Sequence, residues 1–136
     1  MSNQSVSFDG LRLLVVDDNS DTRKLFTLLF KLEGAEVIAA ASASEALEII
    51  SFFKPDILIS DIYLPDEDGY SLLLKVRNLE ANRGRKIPAI AMTASANDED
   101  STRAFLSGFQ IYLCKPIDLN KLTSMVASLA ESKESF

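Results

Sequence analysis

The sequence predicts an α/β domain built on one open parallel sheet of five strands, with helices covering both faces in a three-layer arrangement. Five short apolar runs, Leu11 to Val16, Ala35 to Ala40, Ile57 to Ser60, Ile87 to Met92 and Ile111 to Cys114, are rich in Val, Ile and Leu. Continuous runs of that kind suit strands buried on both sides. Longer segments with helical spacing lie between them. Strict alternation of strand and helix implies parallel strands joined by right-handed crossovers. Ligands of such sheets bind beyond the carboxyl ends of the strands, where the strand order reverses. Asp17, Asp18, Asp61, Thr93 and Lys115 all fall at that edge.

The elements follow in order. After the first strand, Leu25, Phe26, Leu29 and Phe30 have the spacing of a helical stripe packed on the sheet, and Gly34 ends that helix. Leu28 lies off the stripe. It is either an ordinary exposed leucine or a docking contact beside the strand-end acids. Beyond the second strand, Ser42 and Glu45 form a capping box ahead of Ala46, Leu47, Ile49 and Ile50. The third strand runs into Asp61 and the turn-forming Leu64-Pro65. The fourth ends at Thr93, and Asp98-Glu99-Asp100 reads as the charged first turn of the next helix. The fifth strand leads into Lys115-Pro116, after which Asp118 caps the last helix. Residues 1–10 and 131–136 are polar or charged and read as frayed tails around a domain over 11–130. Cys114 reads as a small buried strand residue rather than a redox sensor.

Composition narrows the function classes. The chain has 136 residues, 47% of them apolar, which makes one domain able to bury its own core. A formal charge of -6 disfavours direct binding to nucleic acid. The single cysteine excludes an internal disulfide, and no stretch is apolar and long enough to insert in a membrane, so a reducing, cytoplasmic setting is expected. With no histidine at all, the chain cannot act through a His-based acid or base, nor carry its own phosphohistidine.

The strand-end residues suggest specific chemistry. In a loop beyond a strand, Asp17 and Asp18 can converge with Asp61 on a hard cation. Magnesium accepts about six oxygen ligands and keeps several waters, so a few carboxylates suffice. Read singly, the Asp17-Asp18 pair could instead favour a helix N-terminus, and Asp61 could simply open a turn. Beside a cation, however, the Asp61 carboxylate is a competent nucleophile toward phosphorus. Lys115 adds positive charge where the following proline keeps the chain extended. Thr93 offers a hydroxyl, and the backbone N-H groups after it can donate to a phosphoryl oxygen.

Taken in order, Val15-Val16-Asp17-Asp18-Asn19, Ser60-Asp61 with Leu64-Pro65 and Asp68-Gly69, Ala91-Met92-Thr93-Ala94 and Tyr112-Leu113-Cys114-Lys115-Pro116 resemble the receiver domain of two-component response regulators, over about Leu11 to Leu129. The resemblance implies a flavodoxin-like (βα)5 sandwich with strand order 2-1-3-4-5. It implies that Asp61 accepts a phosphoryl group from a phosphohistidine on a histidine kinase or histidine phosphotransfer protein. Mg2+ would be held by Asp18, Asp61 and the Tyr63 backbone carbonyl, with Asp17 acting through water. Lys115 would pair with the phosphoryl group or with Asp61. Thr93 and Tyr112 would form a switch that changes how the face of the fourth helix, fifth strand and fifth helix binds a downstream protein partner. Tyr63 and Ser95 would flank the path of hydrolytic water, and a bulky Tyr63 would slow loss of the phosphoryl group.

Met1 and its polar lead favour a stand-alone receiver over the excised receiver of a hybrid kinase. Two other classes stay open. An aspartate-nucleophile phosphatase of the haloacid dehalogenase type also uses a sheet-edge Asp, magnesium and lysine, but its nucleophile follows the first strand in an Asp-x-Asp pattern. A receiver-like module could also serve only as a constitutive binding surface.

Overall fold

Leu13 and Val15 face one side of the first strand, Leu14 and Val16 the other, and all four are fully buried. A strand with no solvent face needs a layer of helices on each side, and the computed structural model has that architecture. It describes residues 7–80, 86–94 and 98–134. The elements are β1 (Arg12–Val16), α1 (Ser20–Leu32), β2 (Glu36–Ala40), α2 (Ala43–Ile50), β3 (Ile57–Asp61), α3 (Gly69–Glu80), β4 (Ala89–Thr93), α4 (Asp98–Ser107), β5 (Ile111–Cys114) and α5 (Leu119–Glu134). The five strands are all parallel, in the order β2-β1-β3-β4-β5. This is the flavodoxin-like fold and strand order that the sequence predicts. The order reverses beside β1, between β1 and β3, and there the carboxyl ends are in register: Val16 pairs with both Ala40 and Ser60.

The alternation along the strands divides the core in two. Leu14, Val16, Leu58, Ala89 and Ala91 pack with Ile49 and Ile50 of α2, Leu72, Leu73 and Val76 of α3 and Ala104 of α4. Leu13, Val15, Ile57, Ile59, Ile90 and Met92 pack with Phe26 and Phe30 of α1 and Leu122 and Val126 of α5. No helix among the described residues is long and apolar enough to cross a membrane.

The helix ends follow the local chemistry. Gly34 sits at a φ of 98°, and its N-H and that of Ala35 donate to the Lys31 and Phe30 carbonyls, closing α1 in a Schellman turn. Ser42 accepts from the Glu45 N-H at 3.2 Å, while Glu45 reaches back to the N-H of Ala41, one residue earlier than a strict capping box would have it. Asp118 accepts from Asn120 and Lys121 at the start of α5.

Three sequence expectations are corrected. The α1 contact is narrower than the predicted stripe: Phe26 and Phe30 are buried and Leu29 partly so, but Leu25 is 47% exposed. The contact centres on the two phenylalanines, and Leu25 falls on the outer flank, on one side with Leu28 and Leu32. The described chain is ordered past both expected tail boundaries. Phe8 is buried, its N-H donates to the Glu33 carbonyl at 2.8 Å and its ring centroid lies 5.7 Å from that of Phe30, while α5 continues to Glu134. Cys114 is exposed at the last position of β5, next to buried Leu113 on the opposite face of the strand.

Sequence reasoning missed a partly buried polar contact. Arg77 of α3 donates through Nη1 to both Glu80 oxygens at 2.9 Å and to the Ile87 carbonyl at 2.7 Å, and through Nη2 to the Gly108 carbonyl at 3.0 Å. Glu80 accepts from the Ile87 N-H in return. One ion pair thus ties the end of α3 to the chain entering β4 and to the turn before β5.

Candidate functional site

The carboxyl ends of β1, β3 and β5 bring Asp17, Asp61 and Lys115 together. Each main chain is held where its strand ends. The Asp17 N-H donates to the Ala40 carbonyl at 3.0 Å, Ile62 to Met92 at 2.9 Å and Lys115 to Thr93 at 2.7 Å. The side chains therefore project from the rim of a rigid sheet. Asp17 is fully buried, Asp61 is 6% exposed and Thr93 is 1% exposed, whereas Asp18, in the loop that opens α1, is exposed.

Lys115 links the two buried acids. Its Nζ lies 2.8 Å from Asp61 Oδ2 and 2.9 Å from Asp17 Oδ2. Burial opposes its charge, but the hydrogen bonds to Asp61 and Asp17 and their negative charge outweigh that, raising the Lys115 pKa above the ordinary lysine value. The remaining oxygens meet backbone donors: Asp17 Oδ1 accepts from the Asn19 N-H at 2.9 Å and Asp61 Oδ1 from the Tyr63 N-H at 3.0 Å. Arg23, one turn into α1, donates Nη1 to the Asp17 carbonyl at 2.8 Å and so clamps the loop from outside. Sequence reasoning missed Arg23, although its spacing four residues after the helix cap Asn19 places both on one side of α1.

The donor set fits a divalent cation. Asp17, Asp18 and Asp61 each offer a carboxylate oxygen, and these lie within 4.8 Å of one another. Three carboxylates against one ammonium leave a formal charge of -2 on this quartet, which a divalent cation would neutralise. Hard oxygen donors of this kind suit magnesium or calcium rather than a softer metal.

The other predicted residues are placed as follows. Tyr63 is 55% exposed, two residues beyond Asp61 in the loop leading to α3. Thr93 ends β4 opposite Cys114, and Tyr112 of β5 pairs with Ala91 of β4 and packs half-buried against the α2-α3-α4 side of the core. Leu28 is 59% exposed on the middle of α1, in a groove bounded by Arg23, Lys24, Lys31 and Ala39. At 1.5 Å per residue it stands about 12 Å along the helix from Ser20, below the acidic rim rather than beside it. Ser95 lies outside the described residues.

Fold and site together define the class: a flavodoxin-like α/β domain whose switch point holds an acidic pocket bridged by a lysine. Residues 13–127 match the response regulator receiver domain, and the chain belongs to that family, the receivers of two-component systems. It is 44% identical over 84% of its length to a protein of Leptolyngbya boryana called "Uncharacterized 14.6 kDa protein in sodA1 3'region", and spans 86% of that protein. It is 36% identical over 86% of its length to Regulator of RpoS from Escherichia coli K12, and 34% identical over 90% to hybrid signal transduction histidine kinase D from Dictyostelium discoideum. The aligned part spans only 34% and 8% of those two longer proteins. Among solved structures, a two-component response regulator from Clostridium difficile superposes with a TM-score of 0.85 at 27% identity, covering 92% of this chain and 99% of that one. A CheY-like receiver domain protein from Methanospirillum hungatei JF-1 does so with 0.80 at 29%, covering 93% and 98%.

Proposed function

We propose that the chain is a phosphoacceptor: Asp61 takes a phosphoryl group from a phosphohistidine on a histidine kinase or histidine phosphotransfer protein. The observation that carries this reading is the position of Lys115 Nζ, 2.8 Å from an Asp61 oxygen and at the same time on Asp17. An Asp61 oxygen attacks phosphorus, the phosphorus-nitrogen bond of the donor breaks, and the imidazole leaves with the electron pair and takes up a proton. Lys115 then has a phosphoryl oxygen to pair with in addition to its carboxylates. Asp18, Asp61 and the Tyr63 carbonyl would hold Mg2+, with Asp17 acting through water. When bound, the ion offsets the negative charge shared by the carboxylate and the incoming phosphoryl oxygens.

A phosphoryl group on Asp61 draws the Thr93 hydroxyl toward it, Tyr112 turns into the space behind, and the α4-β5-α5 face changes its affinity for a downstream protein. Phe105 and Leu106 are exposed on α4 and offer apolar contact area. Leu28, flanked by Arg23, Lys24 and Lys31, is a docking contact. Tyr63 and Ser95 flank the path of hydrolytic water. The protein is a signalling module that catalyses only its own phosphorylation and dephosphorylation, in a cytoplasmic setting.

Incubation with Mg2+ and a small labelled phosphodonor tests this. One phosphoryl group per chain, lost in Asp61→Asn, is the expected result. Multiple turnover would make the protein a phosphatase, and absence of label would make it a constitutive binding module.

A further inference from the structure

The loop of residues 62–68, between β3 and α3, is pinned at two points. At its neck the Gly69 N-H donates to the Ile62 carbonyl at 2.6 Å. A Cβ on Gly69 would stand 2.6 Å from the Asp61 carbonyl oxygen and 3.0 Å from the Ile62 Cα, so only glycine lets the two ends of the loop approach this closely. At its tip the Asp66 carboxylate reaches out of the loop to a different element. Oδ1 accepts from the Ala43 N-H at 3.0 Å and Oδ2 from the Ser44 N-H at 2.9 Å.

Ala43 and Ser44 are the first two residues of α2, where backbone N-H groups have no acceptor within the helix. The helix's own cap, Ser42, serves Glu45. Asp66 thus fills two donors that the local sequence leaves open, and it places a negative charge at the positive end of the helix dipole. The Ser44 N-H, then that of Ala43, hold its carboxyl near a pKa of about 2, so it is an anion at neutral pH. The anchor itself is rigid, since Ala43 and Ala46 are fully buried in the core.

We propose that Asp66 is a positioning residue for the cation site, fixing the backbone of Tyr63 by pinning the loop tip to α2. The inference rests on the reading that the Tyr63 carbonyl serves a divalent cation. Only four residues separate Asp61 from Asp66, and one of them, Pro65, has its φ locked by its ring. With Asp61 fixed on the sheet and Asp66 fixed on α2, Tyr63 has little freedom. Released from α2, it has to be ordered when the ion binds, and that cost falls on the affinity.

Calorimetric titration with MgCl2 on the wild type, Asp66→Asn, Asp66→Ala and Glu67→Gln tests the proposal. Glu67→Gln removes the same formal charge from the same loop, and Glu67 pairs with Lys75 of α3 rather than with α2. Both Asp66 variants should lose roughly tenfold in Mg2+ affinity, the effect of removing a support behind a metal ligand. Glu67→Gln should stay within about twofold, as a screened surface charge would. In the Mg2+-free proteins, exchange of the Tyr63 amide hydrogen should speed up in the Asp66 variants alone. That readout, with a thermal melt to confirm folding, separates positioning from general destabilisation. Wild-type affinity in the Asp66 variants, an equal loss in Glu67→Gln, or an unchanged Tyr63 exchange rate would overturn the inference. A wild-type protein that binds no Mg2+ would overturn the cation reading, and the inference with it.

Discussion

Lys115 and Asp61, 54 residues apart in the chain, meet at 2.8 Å, and the same ammonium holds Asp17 at 2.9 Å from 98 residues away. One ammonium thus bridges two buried carboxylates and neutralises only one of their two charges. Lys115→Gln leaves both acids without that charge. We expect a loss of about 2 kcal/mol, less than a fully buried pair would show because the lysine side chain is 26% exposed. Added MgCl2 should restore much of it, since an ion that binds only the folded state stabilises that state. Urea unfolding with and without MgCl2 checks both statements, and wild-type stability without Mg2+ would contradict them.

At the opposite end of the sheet, buried Glu80 pairs with partly buried Arg77, their side-chain exposures 8% and 17%. Removing one partner strands the other. Arg77→Met should therefore cost about 3 to 5 kcal/mol, because it also abandons the carbonyls of Ile87 and Gly108. A double-mutant cycle with Glu80→Gln should give a coupling energy above about 0.5 kcal/mol. Additive losses would mean that the pair is not a unit.

Acid should act through Asp66. Its folded pKa of about 2 lies below the ordinary aspartate value of about 3.9, so it contributes stability above that value and loses it as the pH falls. The difference in unfolding free energy between wild type and Asp66→Asn should be constant above about pH 5 and close as the pH approaches 2. A difference that persists at the acid end would show that the carboxylate charge is not what α2 binds.

Tyr63 is 55% exposed two residues after Asp61, and the proposed role of its ring is to screen an acyl phosphate from water. Tyr63→Asn should shorten the lifetime of phosphorylated Asp61 several-fold, measured as loss of label after the donor is removed. An unchanged or longer lifetime would refute the screening role.

How much of this was legible depends on the range of each interaction. The strands were readable because burial on both faces leaves a continuous apolar run, and Ile111 to Cys114 matched to the residue. The helix caps Ser42 and Asp118 were readable because their bonds close within three residues. Leu25 departs from the expectation because helical spacing gives the direction of a stripe but not its width, which two phenylalanines on α1 set. Cys114 departs from the expectation because an apolar run marks a strand but not which end residue the helices leave uncovered.

The sequence by itself determined the alternation of elements, the placing of Asp17, Asp18, Asp61, Thr93 and Lys115 at strand ends, and thereby the family. These follow from hydrophobic period and from local hydrogen bonds, which act over a few residues. Only the tertiary structure decided that one lysine bridges two acids, that Asp66 caps a helix 22 residues upstream of it, and that Arg77 joins α3 to the chain around β4 and β5. Each of those contacts joins groups brought together by packing of the sheet and its helices. The residues between them carry no trace of it, because the contact depends on strand order and crossover geometry rather than on neighbouring side chains.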